Sequence, residues 1–259
     1  MKNKNLVYRI LIFFVLVSLV TNMACLFIRN SVITQEKLKA EYTVKSTIDR
    51  VETKLETYIE KVQFLKKTIE SGIELDDAYF QSIASRLYGD DPAVKTIELA
   101  PNGVIQNVYP LKENKEVIGM NMLIERDRKQ AATLAKDTKK YTLEGPYDLK
   151  QGGKGALLYD PIYVNDEFWG FSILVIDWDV FLDEIHLSDL EKASYDFVIW
   201  KKDRNTNEKI IVSKSTNDID SNTLLIKCKL PNNKWNFEIV PKQGWINQYL
   251  MINLVVASI

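Results

Sequence analysis

The stretch VKSTIDRVETKLETYIEKVQFLKKTIESG, residues 44–72, decides how this chain folds. Apolar side chains recur along it at alternating intervals of four and three residues: Val44, Ile48, Val51, Leu55, Tyr58, Val62, Leu65 and Ile69. A mean spacing of about 3.5 residues is typical of a helix with one continuous apolar seam. Gly72 ends the pattern, as a glycine commonly does just after the last turn of a helix.

Residues 29–72 are therefore predicted to form a long stalk helix, about 65 Å from end to end. The seam has two interpretations. It either packs on the chain's own globular domain or joins two copies as a parallel homodimer. We expect the parallel dimer, in which cysteines placed at Leu55 and Leu65 would form disulfide crosslinks.

Residues 6–28, which precede the stalk, carry a single charged residue, Arg9. About 20 apolar residues suffice for a helix to cross a bilayer, so residues 1–28 are predicted to be a cytoplasmic tip and a first transmembrane helix. Lys2, Lys4 and Arg9 lie before the apolar core, which favours a cytoplasmic N-terminus. A cleaved signal peptide is the alternative, but the core is longer than is usual for one and no A-x-A site follows.

The other end of the chain, residues 245–259, is also apolar. Trp245 and Tyr249 are aromatic residues of the kind found at a membrane interface. We expect residues 244–259 to begin a second transmembrane helix that the sequence given does not complete; a buried C-terminal helix is the alternative. In the first case residues 29–243 lie outside the cytoplasm, and the protein is located in the cell membrane.

Composition excludes several classes of function. The 34 basic and 35 acidic residues give a net charge of −1, which argues against a nucleic-acid partner. Two cysteines and one histidine are too few for a Cys/His zinc site or an iron–sulfur cluster. We expect no metal, no cofactor and, since Cys25 lies in the membrane span, no disulfide with Cys228.

Between the two ends the pattern alternates between helices and strands, which predicts an α+β fold. Helices are expected at 76–88, 126–139 and 181–193. Strands are expected at 95–99, 104–109, 141–143, 156–163, 168–177, 196–200, 209–212, 224–230 and 235–240. Because residues 168–177 are almost continuously apolar, we expect both faces of that strand to be covered. We divide the region into a distal module, residues 73–178, and a proximal module, residues 179–243.

No catalytic constellation is visible in the sequence. The glycine-rich stretch 151–155 lacks the hydroxyl residue of a phosphate-binding P-loop and is expected to be a turn between strands. His186 is the only histidine, and Asp177, Asp179 and Asp183 fit a helix start better than a calcium site. The chain is expected to bind rather than to catalyse, although the whole protein could be an enzyme.

A series of short motifs in the centre of the chain resembles the CHASE domain, an extracellular sensory module of bacterial and plant receptors. In order they are Ile97-Glu98-Leu99-Ala100-Pro101-Asn102-Gly103-Val104-Ile105, Val108-Tyr109-Pro110-Leu111, Asn114, Ile118-Gly119, Gly145-Pro146, Gln151-Gly152-Gly153, Pro161-Ile162-Tyr163 and Phe168-Trp169-Gly170-Phe171. The resemblance implies a stalk helix that carries two PAS-like modules, with a ligand site in the distal one. It also implies a cytoplasmic histidine kinase, diguanylate cyclase or similar output domain; a chemoreceptor-like or anchored binding protein without enzymatic output is the alternative.

The resemblance also points to site residues. Plant members bind adenine-type cytokinins through an aspartate before the distal helix and a threonine on a strand. Those positions fall here on Arg128, with Asp127 beside it, and on Tyr159, which argues against cytokinin recognition. The ligand site is predicted at Arg126, Asp127, Arg128, Tyr141, Lys150 and Tyr159. If these residues line a pocket, arginine favours an anionic small molecule or a peptide terminus; otherwise they are ordinary surface and packing residues.

Overall fold

A computed structural model describes residues 2–203, 206–219 and 222–246 of the chain. Its first element, helix α1, runs without interruption over Lys2–Glu70, and Gly72 follows with a φ of 80°. The stalk helix and its C-terminal end are thus confirmed, and the stalk is continuous with the N-terminal apolar stretch. Most of the predicted second membrane helix, residues 247–259, lies outside the described residues.

The distal module follows α1 and is built on one antiparallel sheet. Its elements are α2 (Asp77–Tyr88), β1 (Val94–Pro101), β2 (Asn107–Tyr109), α3 (Leu111–Asn114), a 3-10 helix (Lys115–Val117), α4 (Lys129–Thr138), β3 (Thr142–Asp148), β4 (Lys154–Val164) and β5 (Glu167–Asp177). The five strands lie in the order β2-β1-β5-β4-β3. Asn102 and Gly103 have positive φ in the predicted turn between β1 and β2.

The proximal module is built on a second antiparallel sheet. Its elements are α5 (Trp178–Glu184), α6 (Ser188–Lys192), β6 (Tyr195–Lys202), β7 (Lys209–Lys214), β8 (Leu224–Leu230) and β9 (Asn233–Pro241). The strands lie in the order β7-β6-β9-β8. One long helix with two antiparallel sheets confirms the α+β prediction.

The apolar seam of α1 faces the chain's own sheets. None of its eight side chains is more than 7% exposed, and they join residues of both sheets in one continuous core. The prediction that this seam joins two copies is wrong, because its side chains are already buried within one chain. A homodimer formed through another surface stays a prediction.

Strand β5 lies at the centre of the distal sheet, and residues 170–176 are all buried. Leu174 and Ile176 face α1, whereas Ile173 and Val175 face a second, smaller core beneath α4. The prediction that both faces of this strand are covered is therefore confirmed.

Two predicted helices differ in their bounds. Residues 181–193 form not one helix but the end of α5 and the whole of α6, separated at His186, whose φ is 52°. Neither glycine nor proline marks this break, so the sequence pattern did not reveal it. Helix α4 begins at Lys129 rather than at residue 126, because a turn at residues 121–128 precedes it.

One described helix, α1, is long and apolar enough to cross a membrane. The large apolar side chains of residues 6–28 are exposed in the isolated chain, from 45% at Ile28 to 75% at Phe27. This exposure is what a lipid-facing helix requires, since none of the described residues covers these side chains.

Polar contacts at β3 fix the two modules to each other. Lys201 of β6 donates hydrogen bonds to the Glu144 carboxylate and, over 2.7 Å, to the Gly145 carbonyl. The backbone N–H of Leu143 donates to the Pro231 carbonyl over 3.1 Å. The edge of the distal sheet therefore contacts the β8–β9 turn of the proximal sheet directly.

Candidate functional site

A small cavity lies on the face of the distal sheet that is turned away from α1. Its volume is about 20 Å³, close to the space that one water molecule needs. The lining is mostly apolar with four polar residues: Glu98, Ile105, Val117, Met120, Met122, Arg128, Leu149, Lys150, Gln151, Leu157 and Val175. A mainly apolar cavity with a few convergent polar groups is typical of a small-molecule site.

Glu98 supplies the buried acid of this cavity. It lies in the middle of β1, is 2% exposed, and its carboxylate accepts a hydrogen bond of 2.7 Å from the Thr96 hydroxyl. Burial raises the pKa of Glu98 from 4.5 to about 7, although the Thr96 hydrogen bond and the charge of Arg128 both favour the carboxylate. The side chain can therefore gain or lose a proton near neutral pH.

Arg128 supplies the buried positive charge of this cavity. It immediately precedes α4, is 7% exposed, and donates a hydrogen bond of 3.1 Å from Nη2 to the Asp148 carbonyl. The guanidinium carbon lies 3.9 Å from the centre of the Tyr147 ring. Stacking and one hydrogen bond hold the guanidinium in place, and a guanidinium has further N–H donors for an anionic ligand.

Tyr159 lies close to this pair on the same face of the sheet. Both Glu98 of β1 and Tyr159 of β4 are paired with Ile173 of β5, so they flank that residue from opposite sides. The Tyr159 side chain is fully buried, its hydroxyl is 3.9 Å from the Met122 sulfur, and burial raises its pKa well above the usual value of 10.0. It acts as a neutral phenol at physiological pH.

The structure brings only some of the predicted site residues together. Arg128 and Lys150 line the cavity, and Tyr159 lies close by. Arg126 and Asp127 are exposed to solvent. Tyr141 packs against the core on the stalk side of the sheet, so the structure does not bring it into this cavity.

Sequence reasoning missed Glu98, Tyr147 and Met122. Glu98 had a usable signal, because it is the single charged residue within the apolar stretch Ile97-Glu98-Leu99-Ala100 of a predicted strand. A charge inside a buried strand requires a partner or a function. Tyr147 gave no such signal, because its place beneath the guanidinium depends on how β3 pairs with β4.

The opposite side of β4 connects the site to the stalk. Asp160 follows Tyr159, points to the other face and is 1% exposed; Lys66 of α1 lies 3.0 Å from its Oδ1. Burial raises the pKa of Asp160 from 3.8 to about 6, against the opposing effect of Lys66. Two successive residues of one strand thus contact the candidate site and the stalk helix.

The fold of this chain is shared with solved sensory ligand-binding domains. The ligand-binding domain of the Pseudomonas aeruginosa PAO1 amino acid chemoreceptor PctC, in complex with GABA, is similar to this chain. The TM-score is 0.55 at 11% identity over 79% of this chain and 98% of that one. The sensory domain of the Campylobacter jejuni chemoreceptor Tlp3 with isoleucine bound is also similar. Its TM-score is 0.56 at 12% identity, over 82% of this chain and 95% of that one.

A third similar structure is an extracellular ligand-binding receptor from Desulfohalobium retbaense DSM5692, with a TM-score of 0.57 at 15% identity. The match covers 80% of this chain but only 39% of that receptor. At such identities the likeness shows the fold alone. A search among curated protein sequences found no match.

Residues 74–211 match the CHASE domain family, and the chain belongs to that family. The matched region begins just after α1 and ends in β7, so it includes the whole distal sheet and the candidate site.

Proposed function

We propose that this chain is the extracytoplasmic sensory part of a membrane receptor, with two PAS-like modules on a stalk that residues 6–28 anchor in the membrane. Its distal module binds a small ligand at the cavity between the sheet and the segment 117–128 that precedes α4. The observation that carries this proposal is the buried pair Glu98 and Arg128 at the edge of a mainly apolar cavity. Burying an acid and a base without a strong direct bond between them costs stability, and binding offers a reason to retain both.

The chemistry of the pair favours a ligand that carries both an amino group and a carboxylate. The Arg128 guanidinium suits a carboxylate, and the Glu98 carboxylate suits an ammonium group. Solved sensory domains of the same fold are complexes with GABA, isoleucine and L-Arg. Each of those ligands carries both groups.

The cavity must enlarge to admit such a molecule, because it now has room for about one water. Leu149, Lys150 and Gln151 line its mouth and belong to the turn between β3 and β4. Gly152 and Gly153 complete this turn with φ values of 82° and 76°, a region that favours glycine. Outward movement of this turn would open the site without disturbing the sheet.

The signal would pass from the site to the stalk through β4. A ligand that displaces Tyr159 also moves Asp160, whose carboxylate holds Lys66 of α1. Helix α1 continues from Lys66 to the apolar stretch at its N-terminal end, so a small shift of the helix reaches the membrane. The cytoplasmic output would be a histidine kinase or a diguanylate cyclase. The alternative is a chemoreceptor-like or anchored protein without enzymatic output, in which the same distal module would bind the ligand.

The proposal is tested by thermal unfolding of the full chain in lipid nanodiscs with a panel of amino acids that includes GABA, isoleucine and L-Arg. We expect at least one compound to raise the melting temperature of the wild type and of the exposed-site control Arg126→Gln, but not of Arg128→Gln. A compound that stabilises all three proteins equally would place its site elsewhere. No stabilisation by any compound would contradict the proposed ligand class.

A further inference from the structure

The proximal sheet carries a row of lysines across its outer face. The register pairs Lys202 of β6 directly with Lys209 of β7, and Lys229 of β8 directly with Lys234 of β9. Trp200 of β6 pairs with Asn236 of the antiparallel strand β9. Lys202 lies two residues after Trp200 and Lys234 two residues before Asn236, so these two lysines are also neighbours. Four lysines, one from each strand, therefore lie side by side on one face, and we call them the lysine row.

The lysine row lies on an exposed part of the sheet. Lys202, Lys229 and Lys234 are exposed and, with Lys227 and Trp200, they line an open groove of about 860 Å³. The face of the sheet that packs on α1 is instead apolar, with Phe197, Ile199, Phe237 and Ile239. The basic groups are thus concentrated on the side that the chain leaves to solvent.

Among the described residues, the carboxylates near the row are those of Glu238 and Asp203, together with Glu52 and Glu56 of α1, which share a cavity with Lys229 but form no ion pair with it. Within the described residues its one ion pair joins Lys209 to Glu238 over 3.1 Å. Asp203 also lines the groove, but its carboxylate accepts a hydrogen bond from the Thr206 backbone and shapes the β6–β7 turn. Like charges directly opposite each other on neighbouring strands destabilise a sheet, so repulsion within the row lowers the stability of the folded chain.

The dimensions of the row fit a ligand with repeated charges. Four strands spaced about 4.8 Å apart extend the row over about 14 Å, which a single anion does not cover. The row consists of lysines, which bind phosphate as compact point charges, whereas arginine binds both phosphate and carboxylate through a planar, bidentate guanidinium. A chain of phosphates would offset the repulsion along the whole row.

A membrane surface is too distant to supply those phosphates. Lys229 shares a cavity with Glu52, Leu55, Glu56 and Ile59 of α1. Glu52 is 24 positions beyond Ile28, the last residue of the apolar stretch, or about 36 Å along the helix. Lipid charges are screened within about 8 Å at physiological ionic strength, so headgroups do not reach the row.

We propose that the lysine row of the proximal sheet binds a linear phosphate polymer outside the membrane. This site is separate from the distal cavity and does not depend on its ligand. Binding would fix the proximal module in place beside the stalk without any contact with the small-ligand site.

The test measures binding of a fluorescent linear polyphosphate to the full chain in nanodiscs of uncharged lipid. The triple variant Lys202→Gln/Lys229→Gln/Lys234→Gln is compared with a control of equal charge, Lys112→Gln/Lys115→Gln/Lys140→Gln, at exposed sites on the distal module. We expect the row variant to bind about tenfold more weakly, the control to bind as the wild type does, and added salt to weaken binding. Polyglutamate of the same charge should bind the wild type less tightly than polyphosphate does.

Three results would overturn the proposal: no binding to the wild type, equal losses in both triple variants, or polyglutamate that binds as tightly as polyphosphate. Folding is checked in the same samples by thermal unfolding. The row variant should melt at a higher temperature than the wild type in low salt, because the variant removes the repulsion between opposed lysines. A lower melting temperature would contradict the repulsion between the opposed lysines.

Discussion

At the scale of single residues, the distal site depends on a carboxyl group that the fold keeps away from water. Glu98 binds a proton more tightly in the folded chain than in the unfolded chain, because burial raises its pKa from 4.5 to about 7. Between these two values the folded state holds more protons at this residue than the unfolded state does. Tighter proton binding at Glu98 therefore stabilises the folded state fully below pH 4.5, and this stabilisation is lost as the pH rises through 7.

We therefore expect Glu98→Gln to become stabilising relative to the wild type as the pH rises from 5 to 8. The full difference is on the order of 3 kcal/mol in the free energy of unfolding, since each pKa unit corresponds to about 1.4 kcal/mol. Urea unfolding at several pH values measures it, with exposed Glu116→Gln as the control. A gain independent of pH would contradict the raised pKa of Glu98.

The residue scale also shows what the sequence could reveal about the site. Arg128 and Tyr159 were identified from motif positions, and both lie at the cavity's side of the sheet. Glu98 was missed although it is the single charge within the apolar stretch 97–100 of β1; which cavity it lines follows from the pairing of β1 with β5, which local sequence does not specify. Arg126 and Asp127 were included as neighbours of Arg128 on the chain, but both lie in the turn before α4 and are exposed to solvent.

At the scale of elements, β4 and α1 are held together by a buried ion pair. Removing Lys66 leaves the Asp160 carboxylate unpaired at 1% exposure, and its Oδ2 atom accepts no hydrogen bond from the described residues even in the wild type. We expect Lys66→Met to lower the free energy of unfolding by about 3 to 5 kcal/mol at neutral pH. The double variant Lys66→Met/Asp160→Asn should recover much of this loss.

Chemical denaturation measures both variants, with the adjacent exposed Lys67→Met as the control. The loss in Lys66→Met should shrink as the pH falls through 6, because Asp160 becomes neutral when protonated. Equal losses in Lys66→Met and in the double variant would show that the ion pair itself contributes nothing.

The stalk helix illustrates the limit of periodicity. The seven-residue pattern correctly predicted the helix and its buried face, but a seam that meets a second copy and one that meets the chain's own sheets have the same spacing. The two sheets that cover Leu55 and Leu65 are formed by residues far away in sequence. The local sequence pattern therefore could not distinguish a dimer seam from a face that packs on the chain's own sheets.

Thiol labelling distinguishes the two faces of the stalk. In a Cys25→Ser background, we expect Leu65→Cys to resist a water-soluble maleimide under native conditions, because Leu65 is fully buried. Phe64→Cys, at a position that is 51% exposed, should react at once. Disulfide dimers of Leu65→Cys would restore the parallel seam that the structure contradicts.

At the scale of the whole molecule, the proposed ligand site lies in the distal module, and α1 connects that module to the apolar stretch at residues 6–28. The β3 edge ties the distal sheet to the proximal one, and α1 packs against both. A ligand at the distal cavity can therefore act on α1 directly as well as through the proximal module.

The most direct test is hydrogen exchange of the full chain in nanodiscs, with and without the compound that the thermal panel identifies. We expect added protection in the β3–β4 turn at residues 149–153 and in α4, together with a change in α1 around Lys66. The same compound should leave exchange in Arg128→Gln unaltered. Protection confined to the proximal sheet, with the distal module unchanged, would contradict the account.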